Sequence, residues 1–537
     1  MVEWNFGDIL DGVAAVLPPD APALAHGDRV ISQAQFTRRT NNLARALIAR
    51  GARPGDKVAF YMHNGPEYSE LLAACFKARL IHVNVNYRYT PEEVFYIFDD
   101  SDAAVVVFGA PLRSAIETIR PRLTKAHTFI EVGGADAFAE AFETLCEEGD
   151  GAPLEIERSP SDMLFLYTGG TTGMPKGVMW TQNDIRQLTL AAARAAGPVP
   201  ETLEELVTVT RAVGPAPASV IGPPLMHGTG LFTAMGAMLS GGAIITLPSL
   251  RFDPLEMIEA TARWRAANLT IVGDPFARPI AEALDRDPAA YDVTCVERVT
   301  SSGVMWSLEV KRALLRHMPK AVLIDAFSSS EALGMGASMM TAAGEVQTAR
   351  FALGERARVF DENDRPVAPG SGLRGMVAVG PPNPVGYYKD PEKTARTFRV
   401  IDGVRYAIPG DWCVVEADGS LTLLGRGNAC INTAGEKVFP EEVEEALKTH
   451  PDVEDALVVG LPDPRWGQSV TAVLRLRPGR DLDEPGIVAH VRERLAPYKA
   501  PKRIVAGEVS LRAPNGKADY SSARAFAEAS LAPAAAL

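Results

Sequence analysis

The chain has 537 residues, 54 basic and 67 acidic, for a formal net charge of −13, with 47% hydrophobic and 23% charged residues. That length exceeds what one hydrophobic core serves, so a soluble globular protein of at least two domains is expected. The acidic balance argues against general nucleic-acid binding, and no run of about 18 uncharged apolar residues offers a membrane span.

The first residues, MVEWNFGDIL, lack the basic start and apolar core of a signal peptide. Five cysteines, Cys75, Cys146, Cys295, Cys413 and Cys430, are scattered without metal-ligand spacing. An odd, scattered set argues for reduced thiols and a cytoplasmic protein. From about residue 30 to 160 the pattern alternates. A helical stretch at Gln33–Arg50 precedes a strand at Lys57–Tyr61, a helix at Pro66–Ala78, a second helix at Pro91–Asp99 and a strand at Ala103–Phe108. Such βα alternation predicts a parallel sheet covered by helices.

Met163–Tyr167 reads as a buried strand, and Thr181–Ala196 as a helix with Thr181 or Asn183 at its N-cap. Between them runs YTGGTTGMPKGV, Tyr167–Val178. Glycines allow close backbone approach, threonine hydroxyls and backbone N–H groups donate, and Lys176 adds charge, which together suit a polyphosphate. It is not a Walker A loop, because Lys176 follows Pro175 and precedes Gly177.

Residues 197–220 hold four prolines and weak periodicity, and read as an insertion or a helical excursion. A turn-rich loop, Ile221–Gly230, precedes an apolar helix at Leu231–Leu239. Strands follow at Ile244–Leu247, Leu269–Val272, Arg298–Ser301 and Val322–Ile324. From Arg374 to Leu424 strands and turns dominate, with Asp418-Gly419 marking a hairpin. After Arg426 the chain reads as a compact α+β unit. It has a helix opened by Pro440, strands at Ala456–Gly460 and Val470–Leu476, a helix at Gly486–Leu495, and an alanine-rich tail that is a terminal helix or frayed.

The Tyr167–Val178 stretch resembles the phosphate loop of the adenylate-forming enzymes: acyl-CoA synthetases, peptide-synthetase adenylation domains and firefly-type luciferases. Further stretches resemble that family's elements in its order. They are Ser302-Gly303-Val304-Met305, Phe327-Ser328-Ser329-Ser330-Glu331, YAIPGDW at Tyr406–Trp412, LLGRGNACINTAGEKVFPEEVE at Leu423–Glu444, and Pro514-Asn515-Gly516-Lys517. The resemblance covers about residues 30 to 520.

It implies an α/β fold: a large N-terminal domain, 1–425, with βα-layered sheets and a β-rich subdomain, then a small mobile α+β domain, 426–537. It implies that ATP phosphates lie on Thr168, Gly169, Gly170, Thr171, Thr172, Gly173 and Lys176. Adenine would lie against Ser302, Gly303, Val304, Phe327, Ser328 and Ser330, and the ribose on Asp411 with Arg426 beside it. Glu331 would hold Mg²⁺, His227 would gate the acyl pocket, and Lys517 would be the cation at the reacting carboxylate. Gly435 and Glu436 would line the coenzyme A path after the small domain rotates. Two departures stand out: Ala429 at the hinge, where the family has Asp or Lys, and Ala434 in place of a glycine.

The implied activity is acid–thiol ligation through an acyl-adenylate, with a small-molecule carboxylic acid, ATP and CoA as partners. The sequence leaves a homo-oligomer open. The combination of GVRYAIPGDW with the Gly425–Glu444 stretch resembles bacterial synthetases for fatty or steroid side-chain acids. Gly230 and Ala234, at i and i+4, offer either a groove for such an acid or close packing on a neighbour. A luciferase-type adenylating oxidase and a non-catalytic nucleotide-binding regulator are the alternatives.

Overall fold

The computed structural model describes residues 3–134, 137–168, 174–194, 197–304, 306–344, 350–426, 431–433, 436–463, 467–495, 497–513 and 518–531. Two compact units emerge, one formed by Met1–Thr348 with Val379–Ala407 and the other by Ala349–Ala378 with Ile408–Leu537. The fold is α/β with mixed sheets.

The first unit holds two sheets. One runs in the order Gly386–Tyr387, Lys176–Thr181, Met163–Thr168, Ile81–Asn84, Lys57–Tyr61, Ala103–Gly109, Thr128–Val132, Glu140–Ala141. From Met163–Thr168 onward its neighbours are parallel. Ala103–Gly109 is buried at every position, as expected of a parallel strand covered on both faces. The helices Pro66–Lys77 and Pro91–Asp100 make the crossovers, each with proline in its first turn. Thr90 and Glu93 close a capping box on the second.

The other sheet runs Arg29–Ser32, Pro22–His26, Ile244–Thr246, Ser219–Ile221, Asn268–Ile271, Arg298–Ser302, Val322–Phe327, Gly336–Met340. It is parallel except for the antiparallel pairs at its two ends within this unit.

In the second unit, Asp411–Val415 and Leu421–Arg426 form the hairpin that Asp418-Gly419 predicts; Gly419 has φ 82°. Farther on, the long strands Val453–Asp463 and Gly467–Leu476 pair antiparallel, and Arg503–Ala506 adds in parallel. Helix Pro440–Lys448 packs Val443, Ala446 and Leu447 into the core of this sheet. The alanine-rich tail is helical over Tyr520–Leu531, with Ala523 and Ala527 buried against Val459 and Val473.

One local reading changes and two open ones are decided. The sequence reading takes the chain from Met163–Tyr167 through the loop straight into a helix. The structure inserts a strand, Lys176–Thr181, antiparallel to Met163–Thr168. The helix then spans Gln182–Arg194, with Thr181 Oγ1 accepting from Asp184 N at 3.0 Å. Asn183 does not cap it; its Oδ1 accepts from Trp4 N instead. Within 197–220 the helical reading holds: Leu203–Val213 is capped by Thr202 and ends at Gly214, φ 83°.

Candidate active site

The stretch resembling a phosphate binder joins two antiparallel strands, Met163–Thr168 and Lys176–Thr181. Tyr167 faces Gly177 and Thr168 faces Lys176 across the ladder. Residues 169–173, hence Gly169, Gly170, Thr171, Thr172 and Gly173, lie outside the described residues. The rims are rigid. A Cβ on Gly177 would come within 2.7 Å of the Tyr167 ring, so glycine there lets the ring lie flat across the strand. The Tyr167 phenol donates to Asp100 Oδ2 at 2.9 Å, and Lys176 Nζ lies 3.4 Å from Asp100 Oδ1.

The same strand fixes the Glu331 segment. Ser328–Met335 forms the turn between the antiparallel strands Val322–Phe327 and Gly336–Met340. Ser328 Oγ accepts from Gly334 N and Ser329 Oγ from Ala332 N, so these serines shape the turn as local backbone acceptors. The Trp180 indole donates to Ser330 O at 2.8 Å. Tyr387, opposite Val178 in the ladder, donates its phenol proton to Glu331 Oε1 at 2.8 Å. Strand Lys176–Thr181 therefore carries Lys176 at its start and holds Glu331 through Trp180 and Tyr387.

His227 is half-buried just before helix Gly228–Leu239. The loop before it is braced by two asparagines. Asn64 donates to Pro223 O and accepts from Leu225 N. Asn84 donates to Met226 O at 2.8 Å and to Tyr167 O at 2.9 Å, and accepts from Tyr167 N at 2.7 Å. The loop before His227 and the Tyr167 end of strand Met163–Thr168 thus share one amide. Gly230 faces the loop's own backbone: a Cβ would sit 2.5 Å from Pro224 O. Of the two readings of Gly230, close packing is what the structure contains at this position.

Ser302 pairs with Ala326 at the ends of parallel strands, so Ser302-Gly303-Val304 and Phe327-Ser328 leave the sheet side by side. Gly303 has φ 90° with open space on its Cβ side. In the second unit Asp411 is buried and opposite Arg426 in the ladder. Of Arg426 and Glu436 only the backbone is described, and Ala429, Ala434, Gly435 and Lys517 lie outside the described residues.

Sequence reasoning missed Asp100, Asn84, Asn64, Trp180 and Tyr387. Asn84 had a signal: one amide ending the buried strand IHVN, where only a partnered polar group is tolerated. Tyr387 and Trp180 had none, because their partners lie 56 and 150 residues away.

A family model described as AMP-binding enzyme matches residues 12–388, and one described as AMP-binding enzyme C-terminal domain matches residues 442–517. The medium/long-chain-fatty-acid–CoA/3-oxocholest-4-en-26-oate–CoA ligase of Mycobacterium marinum is 38% identical over 98% of this chain and 97% of its own. The 3-oxocholest-4-en-26-oate–CoA ligase of Rhodococcus rhodochrous is 36% identical over 96% of this chain and 94% of its own. Among solved structures, the anthranilate CoA ligase AuaEII in complex with anthranoyl-AMP has the same fold. Its TM-score is 0.84 at 22% identity, covering 99% of each chain. On these matches, spanning both the main and the C-terminal domain models, the chain belongs to the AMP-binding enzyme family.

Proposed function

We propose that this chain is an AMP-forming acyl-CoA synthetase for long or bulky carboxylic acids, either fatty acids or steroid side-chain acids. The carrying observation is the single strand that starts with Lys176 and braces Glu331 through Trp180 and Tyr387. It sets a cation and a carboxylate in fixed register, as a site for a nucleotide polyphosphate requires. The family match supports ATP and CoA as substrates, and the relatives' names support the acid class.

Among the described residues no three His, Cys, Asp or Glu side chains group to hold a metal. Glu331 alone fits Mg²⁺ shared with phosphates, since that ion is commonly bound by one or two carboxylates plus substrate oxygens. Bound there, it would offset charge between the acid and the α-phosphate. Thr168 and Lys176 hold the phosphates, with Gly169 to Gly173 between them. Ser302 to Val304, Phe327, Ser328 and Ser330 hold adenine. Asp411 and Arg426 hold the ribose, and His227 borders the acyl pocket. Lys517 neutralises charge during adenylation, and Gly435 and Glu436 serve thioester formation after a small domain beginning near residue 426 has rotated. No helix among the described residues is long and apolar enough to cross a membrane.

The test follows pyrophosphate release and thioester formation separately, with acetate, octanoate, palmitate and a steroid side-chain acid. Both signals are expected, with kcat/KM rising from acetate to the larger acids. Pyrophosphate release without thioester would move the enzyme to the adenylating oxidases, and neither signal with any acid would favour a nucleotide-binding regulator. A preference for acetate would overturn the acid class.

A further inference from the structure

Behind the phosphate-loop hairpin, a carboxylate competes for its lysine. Asp100 is the last residue of helix Pro91–Asp100. One of its oxygens takes the Tyr167 phenol at 2.9 Å; the other lies 3.4 Å from Lys176 Nζ. Tyr167 is held in place: its ring lies over Gly177, and Asn84 binds its backbone N–H and C=O. Asp100 is therefore pinned, and Lys176 is the movable partner. The 3.4 Å separation exceeds that of a tight charge-assisted hydrogen bond. A helix C-terminus disfavours an anion, so the carboxylate at Asp100 calls for a cation. The neighbouring Asp102 already has Lys125, Lys389 and the Tyr388 phenol. Lys176 is the cation that the described residues place on Asp100.

We propose that Asp100 is a positioning residue that parks Lys176 in the nucleotide-free enzyme and yields it to a polyphosphate, so that nucleotide binding is a counter-ion exchange. The proposal rests on Thr168 to Lys176 being the phosphate loop. A triphosphate carries more charge than one carboxylate, so Lys176 transfers on binding, while Asp100 keeps the Tyr167 hydrogen bond. When pyrophosphate leaves, Asp100 recovers the lysine, which lowers the affinity for that product.

The test is calorimetric titration of the full chain with α,β-methylene ATP and, separately, inorganic pyrophosphate. Wild type, Asp100→Asn, Lys176→Ala and the double variant are compared. Removing the competing charge should tighten both ligands about three- to fivefold, the scale of a partly solvated ion pair. In the Lys176→Ala background the same change should have no effect. Asp100→Glu, which keeps the charge, should bind like wild type. Asp100→Ser, which keeps an acceptor for Tyr167, substitutes for Asp100→Asn if the amide variant does not fold. Equal effects in both backgrounds, weaker binding by Asp100→Asn, or equal tightening by Asp100→Glu would each overturn the proposal. A wild type that binds neither probe would overturn the phosphate-loop reading, and the proposal with it.

Discussion

The side-chain amide of Asn84 bonds the backbone of Tyr167 in both directions, Nδ2 to the carbonyl at 2.9 Å and Oδ1 to the N–H at 2.7 Å. It thereby continues the ladder between Ile81–Asn84 and Met163–Thr168 beyond the point where their backbones pair, at Val83 and Phe165. Its second donor bond, to Met226 O, ties the His227 loop to the same point. Asn84→Ala should leave buried backbone groups unpaired and cost about 2–4 kcal/mol of stability. Urea denaturation measures this. A loss below about 1 kcal/mol would mean that water or a backbone shift replaces the amide.

The Tyr387 phenol holds Glu331 by one hydrogen bond. Tyr387→Phe should leave folding nearly intact, slow adenylation about tenfold and raise the Mg²⁺ concentration needed for half-maximal rate. Pyrophosphate release across a Mg²⁺ titration tests it. An unchanged Mg²⁺ dependence would separate Tyr387 from the metal.

Gly230→Ala distinguishes packing from a substrate groove. The added Cβ would meet Pro224 O at 2.5 Å and Pro223 O at 3.0 Å. Overpacking against backbone should cost about 1–3 kcal/mol and reduce kcat/KM for octanoate and palmitate by similar factors. A loss confined to bulky acids would restore the groove.

His82 supplies a pH dependence. Its ring is fully buried, Nε2 facing the Tyr68 phenol and Nδ1 facing Phe165 O. Burial pushes the imidazole down to about 3. It is therefore neutral, with Nδ1–H donating to Phe165 O and Nε2 accepting from Tyr68. The folded chain excludes a proton that the unfolded chain binds near pH 6.5. This stabilisation is complete above pH 6.5 and is lost as pH falls from there toward 3, by about 2 kcal/mol at pH 5. His82→Asn should flatten the stability profile between pH 7 and 5 by that amount, read by urea denaturation at each pH. An identical slope in wild type and variant would place the acid sensitivity elsewhere.

The sequence alone determined whatever depends on local chemistry and chain order. The strand Met163–Tyr167 ahead of the glycine-threonine stretch, the βα alternation of residues 30 to 160, the hairpin at Asp418-Gly419 and the helix opened by Pro440 were legible because periodicity and turn residues act over a few positions. Only the tertiary structure decided which residues hold that chemistry in place. Strand Lys176–Thr181 is six residues, short enough to be hidden between a loop and a helix, and its pairing makes it a strand. Trp180 meets Ser330, Tyr387 meets Glu331, Tyr167 meets Asp100, and Asn84 meets both Tyr167 and Met226. Each of these bonds joins residues at least 56 apart in the chain. A buried donor or acceptor must be satisfied, but nothing local says by whom; the partner is chosen when the sheets close.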